Sequence, residues 1–110
     1  MKGKPVVPRT QANEDVEDAV AHYLIEGAPQ VALGFIDALE RAFDHIGRHP
    51  ATGSPRHAQE LGIQGLRAWP LTRYPYLVFY VELDGHIDVW RVLHGHRDIP
   101  AWLQSPGEAP

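Results

Sequence analysis

The sequence predicts an α+β fold, a helical hairpin at the N-terminus packed on a small, mainly antiparallel sheet, in the order β-α-α-β-β-β with a short C-terminal helix or turn. Three observations carry that prediction. Apolar residues recur at helical spacing in two successive stretches of the first half. A short break at Gly27-Ala28 separates the two stretches, so the helices must turn back on each other. The second half carries β-branched and aromatic runs around Asp84-Gly85, the strongest short hairpin signal.

In chain order, Val6-Val7 reads as a short first strand ended by Pro8. Thr10 is placed to cap a helix whose early turns hold Glu14, Asp15, Glu17 and Asp18, the sign that suits the positive end of a helix dipole. Ala12, Val16, Ala19, Val20 and Tyr23 form its apolar stripe, and Gly27 stops it. Pro29 opens a second helix to Ile46, with Ala32, Phe35, Ile36, Leu39, Phe43 and Ile46 inward and Asp37–Arg41 and Asp44–Arg48 paired outside. Gly47 and Pro50 are expected to end it. Ala51–Gly65, with Gly53, Pro55, Gly62 and Gly65, reads as an irregular loop.

Strands follow at Leu66–Leu71, Tyr76–Leu83 and His86–His94. A two-residue type I′ turn at Asp84-Gly85 would set Leu83 opposite His86, Val81 opposite Asp88, Phe79 opposite Trp90 and Leu77 opposite Val92. One face then carries Leu77, Phe79, Val81, Trp90 and Val92, and the other Tyr76, Val78, Tyr80, Ile87, Val89 and Leu93. Both faces are apolar, whereas a half-solvated antiparallel sheet alternates. The hairpin can cover only one. The other needs the segment Ile99–Leu103 with Trp102, or a separate chain.

Composition narrows the function. One domain over residues 1–110 is expected, with its core at about 5–103 and a disordered tail at 104–110. No apolar run approaches the ~20 residues of a membrane helix, and Met1–Arg9 lacks the pattern of a signal peptide. The absence of cysteine excludes disulfides and thiolate sites and suits a cytoplasmic protein. Residues 1–55 hold five Lys and Arg against eight Asp and Glu, and residues 56–107 hold five of each sign. A binder of bulk nucleic acid needs a basic excess, so a protein partner or a very local nucleic-acid contact is expected.

Four segments carry a family likeness: Ala21-His22-Tyr23-Leu24; Ala32 to Leu39; the turn His49-Pro50-Ala51-Thr52-Gly53-Ser54-Pro55; and Leu66-Arg67 with Tyr76–Tyr80 and Arg91–Asp98. In that order and spacing they resemble the ParE/RelE superfamily of toxin–antitoxin toxins over about positions 5–103, and the ParE branch most. The resemblance implies a bacterial growth-inhibiting toxin of the plasmid-stabilisation type, neutralised by a ParD-like antitoxin and directed at DNA gyrase by binding rather than chemistry. It implies operator-DNA contact only through the antitoxin, and no cofactor, metal or membrane. Residues expected at the target are Arg67, Arg73, His94, His96 and Arg97. Those expected at the antitoxin are Leu24, Leu33, Leu77, Phe79, Trp90, Val92 and Trp102.

Two other functions stay open. A RelE-type ribosome-dependent ribonuclease would use Arg67 and Arg97 around the scissile phosphate. The loop before Arg67 offers only Arg56 and His57 in place of a lysine cluster, and Leu103 stands at the C-terminal acid/base position. The third reading is a non-toxic module retaining only antitoxin binding. Arg67 and Arg97 fit target contact or local pairing, the latter to Asp98 for Arg97. Arg91 reads as structural, snorkelling or paired to Asp88 or Asp98. His94 and His96 lack a third ligand and read as packing or contact residues, as do His45 and His49. Trp90 and Trp102 could anchor a partner, or Trp102 could complete the core.

Overall fold

The structure, a computed structural model, describes residues 3–95. Strand β1 (Val6–Pro8) leads into helices α1 (Thr10–Glu26) and α2 (Pro29–Arg48). A 3-10 turn (Pro50–Thr52) and a short helix α3 (Arg56–Leu61) follow, then β2 (Leu66–Pro70), β3 (Tyr76–Glu82) and β4 (Ile87–His94). The four strands form one mixed sheet in the order β1-β4-β3-β2, with only β1–β4 parallel. The fold is therefore α+β, as the sequence predicts. The expected C-terminal helix or turn, Trp102 and the tail lie outside the described residues.

The hairpin covers one face of the sheet through the residues that the helical spacing selects. Ala12 and Ala19 of α1 and Phe35, Leu39 and Ile46 of α2 are buried against Val78, Tyr80, Ile87, Val89 and Val92. Several details differ from expectation. Thr10 is the first helical residue of α1; Arg9 holds the cap position, and its side chain makes no capping bond to the helix. Helix α2 continues through Gly47 to Arg48. Gly47 instead receives the incoming chain, its carbonyl accepting the Lys4 N–H at 2.9 Å. With the turn intact, the His45 and His49 rings lie 5.1 Å apart.

The largest correction concerns the sheet's second face. The stretch expected as irregular loop contains α3, ended by Gly62 in the left-handed conformation at φ 67°. Ala58 and Leu61 of this helix, with Ile63, pack on buried Leu66, Ala68, Phe79 and Leu93. The chain thus supplies cover for this face from a stretch expected to be loop; Ile99–Leu103, the cover expected from the sequence, lies outside the described residues.

The β3–β4 register also changes midway. Val81 faces Asp88 as expected, but a bulge leaves Trp90 without an opposite residue. Beyond it Phe79 faces Arg91, Val78 faces Val92 and Leu77 faces Leu93. A one-residue shift exchanges the two sheet faces. Val92 consequently joins the core under the hairpin and Leu93 the core under α3, the reverse of the regular register. The connecting turn is not type I′, because neither Asp84 nor Gly85 has positive φ. Leu83 N–H donates to the His86 carbonyl, while the Leu83 carbonyl accepts the Lys4 ammonium at 2.7 Å.

Candidate functional site

The described part of the molecule brings the expected site residues to three places. The first lies at the β2 edge of the sheet. Ser54 exchanges backbone hydrogen bonds with Ala68, so the loop from His49 to Pro55 adds a short bridge to β2. The buried Tyr80 hydroxyl donates to the Pro50 carbonyl at 2.7 Å and accepts the Gly53 N–H at 2.9 Å. Burial raises the phenol above its ordinary value, against the Gly53 hydrogen bond and the nearby Arg67, which both lower it. Only glycine fits at 53, since a Cβ there would stand 2.6 Å from the Tyr80 oxygen and 3.0 Å from the Ala68 carbonyl.

Arg67 faces Tyr80 across the β2–β3 pair, and its Nη1 donates to the Gly53 carbonyl at 2.7 Å. The loop is thereby gripped from both sides by side chains of the sheet. Chemically this arrangement holds backbone. A buried phenol with two local partners is shielded from a substrate, and Arg67 already has a carbonyl acceptor.

The second place is where β1 ends. The strand covers the edge of β4 only over Ile87–Val89. Just beyond, Asp15 of α1 accepts the Val92 N–H at 2.9 Å and binds Arg91 through Nε and Nη2, both at 2.8 Å. Both side chains are about nine-tenths buried, with relative exposures of 10% and 9%. Arg91 is structural as expected, but its acid is Asp15 rather than Asp88. Asp88 instead holds Arg9 at 2.8 Å and the Trp90 indole N–H at 3.2 Å, while the Arg9 guanidinium lies 4.2 Å above the Trp90 ring.

The third place is the far end of the sheet, where the turn between β2 and β3 meets the end of β4. Arg73 occupies this turn with φ 72°, the only non-glycine residue at positive φ among the described residues. His94 faces Tyr76 in the ladder and packs edge-on against its ring at 5.2 Å. The Gly95 N–H donates to the Pro75 carbonyl at 2.7 Å, tying the strand end to the turn. Arg73 and His94 therefore share one end of the sheet, and Arg67 lies away from it. His96 and Arg97 lie outside the described residues, as does Trp102.

Of the residues expected at an antitoxin, Leu24 and Leu33 are 51% and 64% exposed. Phe79 and Val92 lie within the chain's own two cores, and Leu77 is half-buried beside Phe79. Trp90 is half-buried under Arg9. Two neighbours escaped the sequence reading: Ile25, 79% exposed, and Val31, at 37%. They sit on either side of the Gly27-Ala28 connection, off both stripes; isolated apolar residues flanking a helix break were the signal. Among the described residues no helix is long and apolar enough to cross a membrane, and no three metal-ligating side chains gather.

A search of curated proteins found no match to the sequence. A solved structure described as the chromosomal ParDE toxin–antitoxin system of P. aeruginosa contains a chain of similar fold, at a TM-score of 0.69 and 17% identity, covering 83% of this chain and 95% of that one. At that identity the likeness speaks for the fold. The model of the ParE toxin family, the toxin of type II parDE toxin–antitoxin systems, matches residues 6–99. That span runs from β1 through the whole sheet, and the chain belongs to the ParE toxin family.

Proposed function

We propose that this ParE-family toxin is neutralised by a ParD-like antitoxin and acts by binding DNA gyrase, without performing chemistry of its own. The observation that carries the choice of binding over chemistry is Arg67. A phosphodiester-cleaving site needs cations free to meet charge as it develops on the phosphate. Arg67 is partly buried and donates to the Gly53 carbonyl, which makes it a brace for the loop. The net charge of −4 also argues against docking on ribosomal RNA, and leaves operator-DNA contact to the antitoxin.

The antitoxin's place in this reading is the tip of the helical hairpin. Leu24, Ile25, Val31 and Leu33 expose apolar surface around one connection, enough to seat an apolar antitoxin segment that folds on binding. The target surface in this reading is the sheet end with Arg73 and His94; His96 and Arg97, expected at the target from the sequence, belong to the same reading. No cofactor enters, and the site of action is the cytoplasm, where gyrase is.

The test is induced expression in the native host with plasmid topology scored as growth stops. The expected result is arrest with relaxed or linearised plasmid, relieved by co-expression of the antitoxin. Arrest with normal supercoiling and fragmented mRNA would replace this proposal with the ribonuclease reading. Unimpaired growth with folded protein present would replace it with the non-toxic module.

A further inference from the structure

A groove of about 460 Å3 runs between the outer side of α2 and the end of β2 with its following turn. Arg41, Asp37 and His45 line it from the helix, and Trp69, Arg73 and Tyr74 from the sheet. Its two arginines are differently held. Arg41 pairs with Asp37 at 3.2 Å, but this i,i+4 pair is largely exposed and so readily exchanged for a stronger acceptor. Arg73 is exposed and has no hydrogen bond or ion pair among the described residues. Its left-handed backbone, at φ 72°, is a conformation that a residue with a Cβ rarely adopts.

The turn around that strain is fixed to the helix. Tyr74 Oη donates to the Val31 carbonyl at 2.9 Å, and Leu71 N–H donates to the Tyr76 carbonyl at 3.0 Å. Gly34 makes the first contact possible, since a Cβ at that position would meet Tyr74 Oη at 2.3 Å. A glycine within a helix and a non-glycine at positive φ both run against local preference. Together they hold Arg73 on the groove that Arg41 lines. The wall beside them is aromatic: Trp69 stacks on His45 with ring centres 4.4 Å apart and planes 14° from parallel, and His45 Nε2 lies 3.1 Å from Thr52 Oγ1.

We propose that this groove binds a nucleoside phosphate, its phosphate held between Arg41 and Arg73 and its base against the Trp69–Tyr74 wall. Guanidinium forks match phosphate oxygens in geometry and charge, and an aromatic wall accepts any base by stacking. Asp37 opposes the phosphate and competes for Arg41, so the site is tuned to moderate affinity. The groove shares Arg73 with the target surface of the gyrase reading, but nucleotide binding here rests on the groove's own geometry and holds whether or not gyrase is the target.

Adenosine 5′-monophosphate titrated into the full chain by calorimetry tests it, with adenosine, inorganic phosphate and a short oligothymidylate as parallel ligands. The nucleotide is expected to bind saturably and more tightly than adenosine or phosphate alone. Arg73→Gly, which keeps the turn and relieves its strain, should weaken binding about tenfold or more, as should Arg41→Ala. Asp37→Asn should tighten it, an effect that a merely structural role for these residues would not produce. Undiminished binding by Arg73→Gly, equal binding of adenosine, or no saturable binding of the nucleotide would overturn the proposal. Binding of the oligothymidylate alone would also overturn it and make the groove a track for single-stranded nucleic acid.

Discussion

The two faces of the sheet are covered in different ways. Under the hairpin, two helices of 17 and 20 residues bury a continuous core that includes Phe35, Leu39, Ile46, Val78, Tyr80 and Val89. Under α3, a helix of six residues and its flanks cover Leu66, Ala68, Phe79 and Leu93. A long amphipathic helix is anchored at several turns, so losing one contact leaves the rest in place. A helix of six residues is too short to hold itself and depends on its few tertiary contacts. The hairpin side should therefore open only with the whole domain, and the α3 side by local opening.

The sharpest way to break the comparison is at Asp15, which joins the hairpin to β4. Asp15→Ala removes both bonds from the carboxylate to buried Arg91 and the acceptor of the Val92 N–H, and should cost about 3 kcal/mol in denaturant unfolding. A loss near that of a surface substitution would mean that the two elements are held by packing alone. Next is Tyr80→Phe, which removes both bonds to the His49–Pro55 loop and should cost about 1–3 kcal/mol. Burial also raises the Tyr80 phenol, so the folded chain resists ionisation longer than the unfolded one. Its contribution is complete below the ordinary tyrosine value of about 10 and is lost as pH rises through the folded value. Alkaline melts of wild type should fall more steeply there than those of Tyr80→Phe, although Tyr23, also raised chiefly by burial, remains in both.

Leu61→Ala sharpens the comparison from the other side. This half-buried contact should contribute about 1 kcal/mol to global stability. Its amide hydrogen-exchange effect should concentrate in α3 and the residues after it, leaving the central turns of α1 and α2 protected. Equal acceleration in all helices would show one cooperative unit and remove the distinction. The smallest effect is expected of Arg41→Ala, within about 0.5 kcal/mol, because its pair with Asp37 is exposed.

The same contrast explains what could be read in advance. The hairpin was legible because its stripes run over several turns and every added turn repeats the signal. Helix α3 was not, since only Ala58 and Leu61 recur at helical spacing between Pro55 and Gly62, and those two breakers suit a turn as well as a short helix. The bulge at Trp90 left no periodic trace, because Val92 and Leu93 are both apolar and can exchange faces without a polar residue being buried. Arg67 and Arg91 were visible as arginines on strands, but their acceptors, the Gly53 carbonyl and Asp15, are distant in sequence. The exposed Leu24 and Leu33 followed from the edges of the helical stripes, whereas Ile25 and Val31 lie beyond them. Arg73's strain is a backbone property that its Thr72-Arg73-Tyr74 setting does not announce.

The central claim is inhibition of gyrase by binding, with Arg67 as a structural brace. Its most direct test is supercoiling by purified host gyrase titrated with wild-type chain and with Arg67→Lys, with cleaved DNA and ribosome-dependent mRNA cleavage scored alongside. Loss of supercoiling with accumulated cleaved DNA is expected for both proteins, with intact mRNA throughout. Unaffected gyrase together with mRNA cleavage that Arg67→Lys abolishes would contradict it.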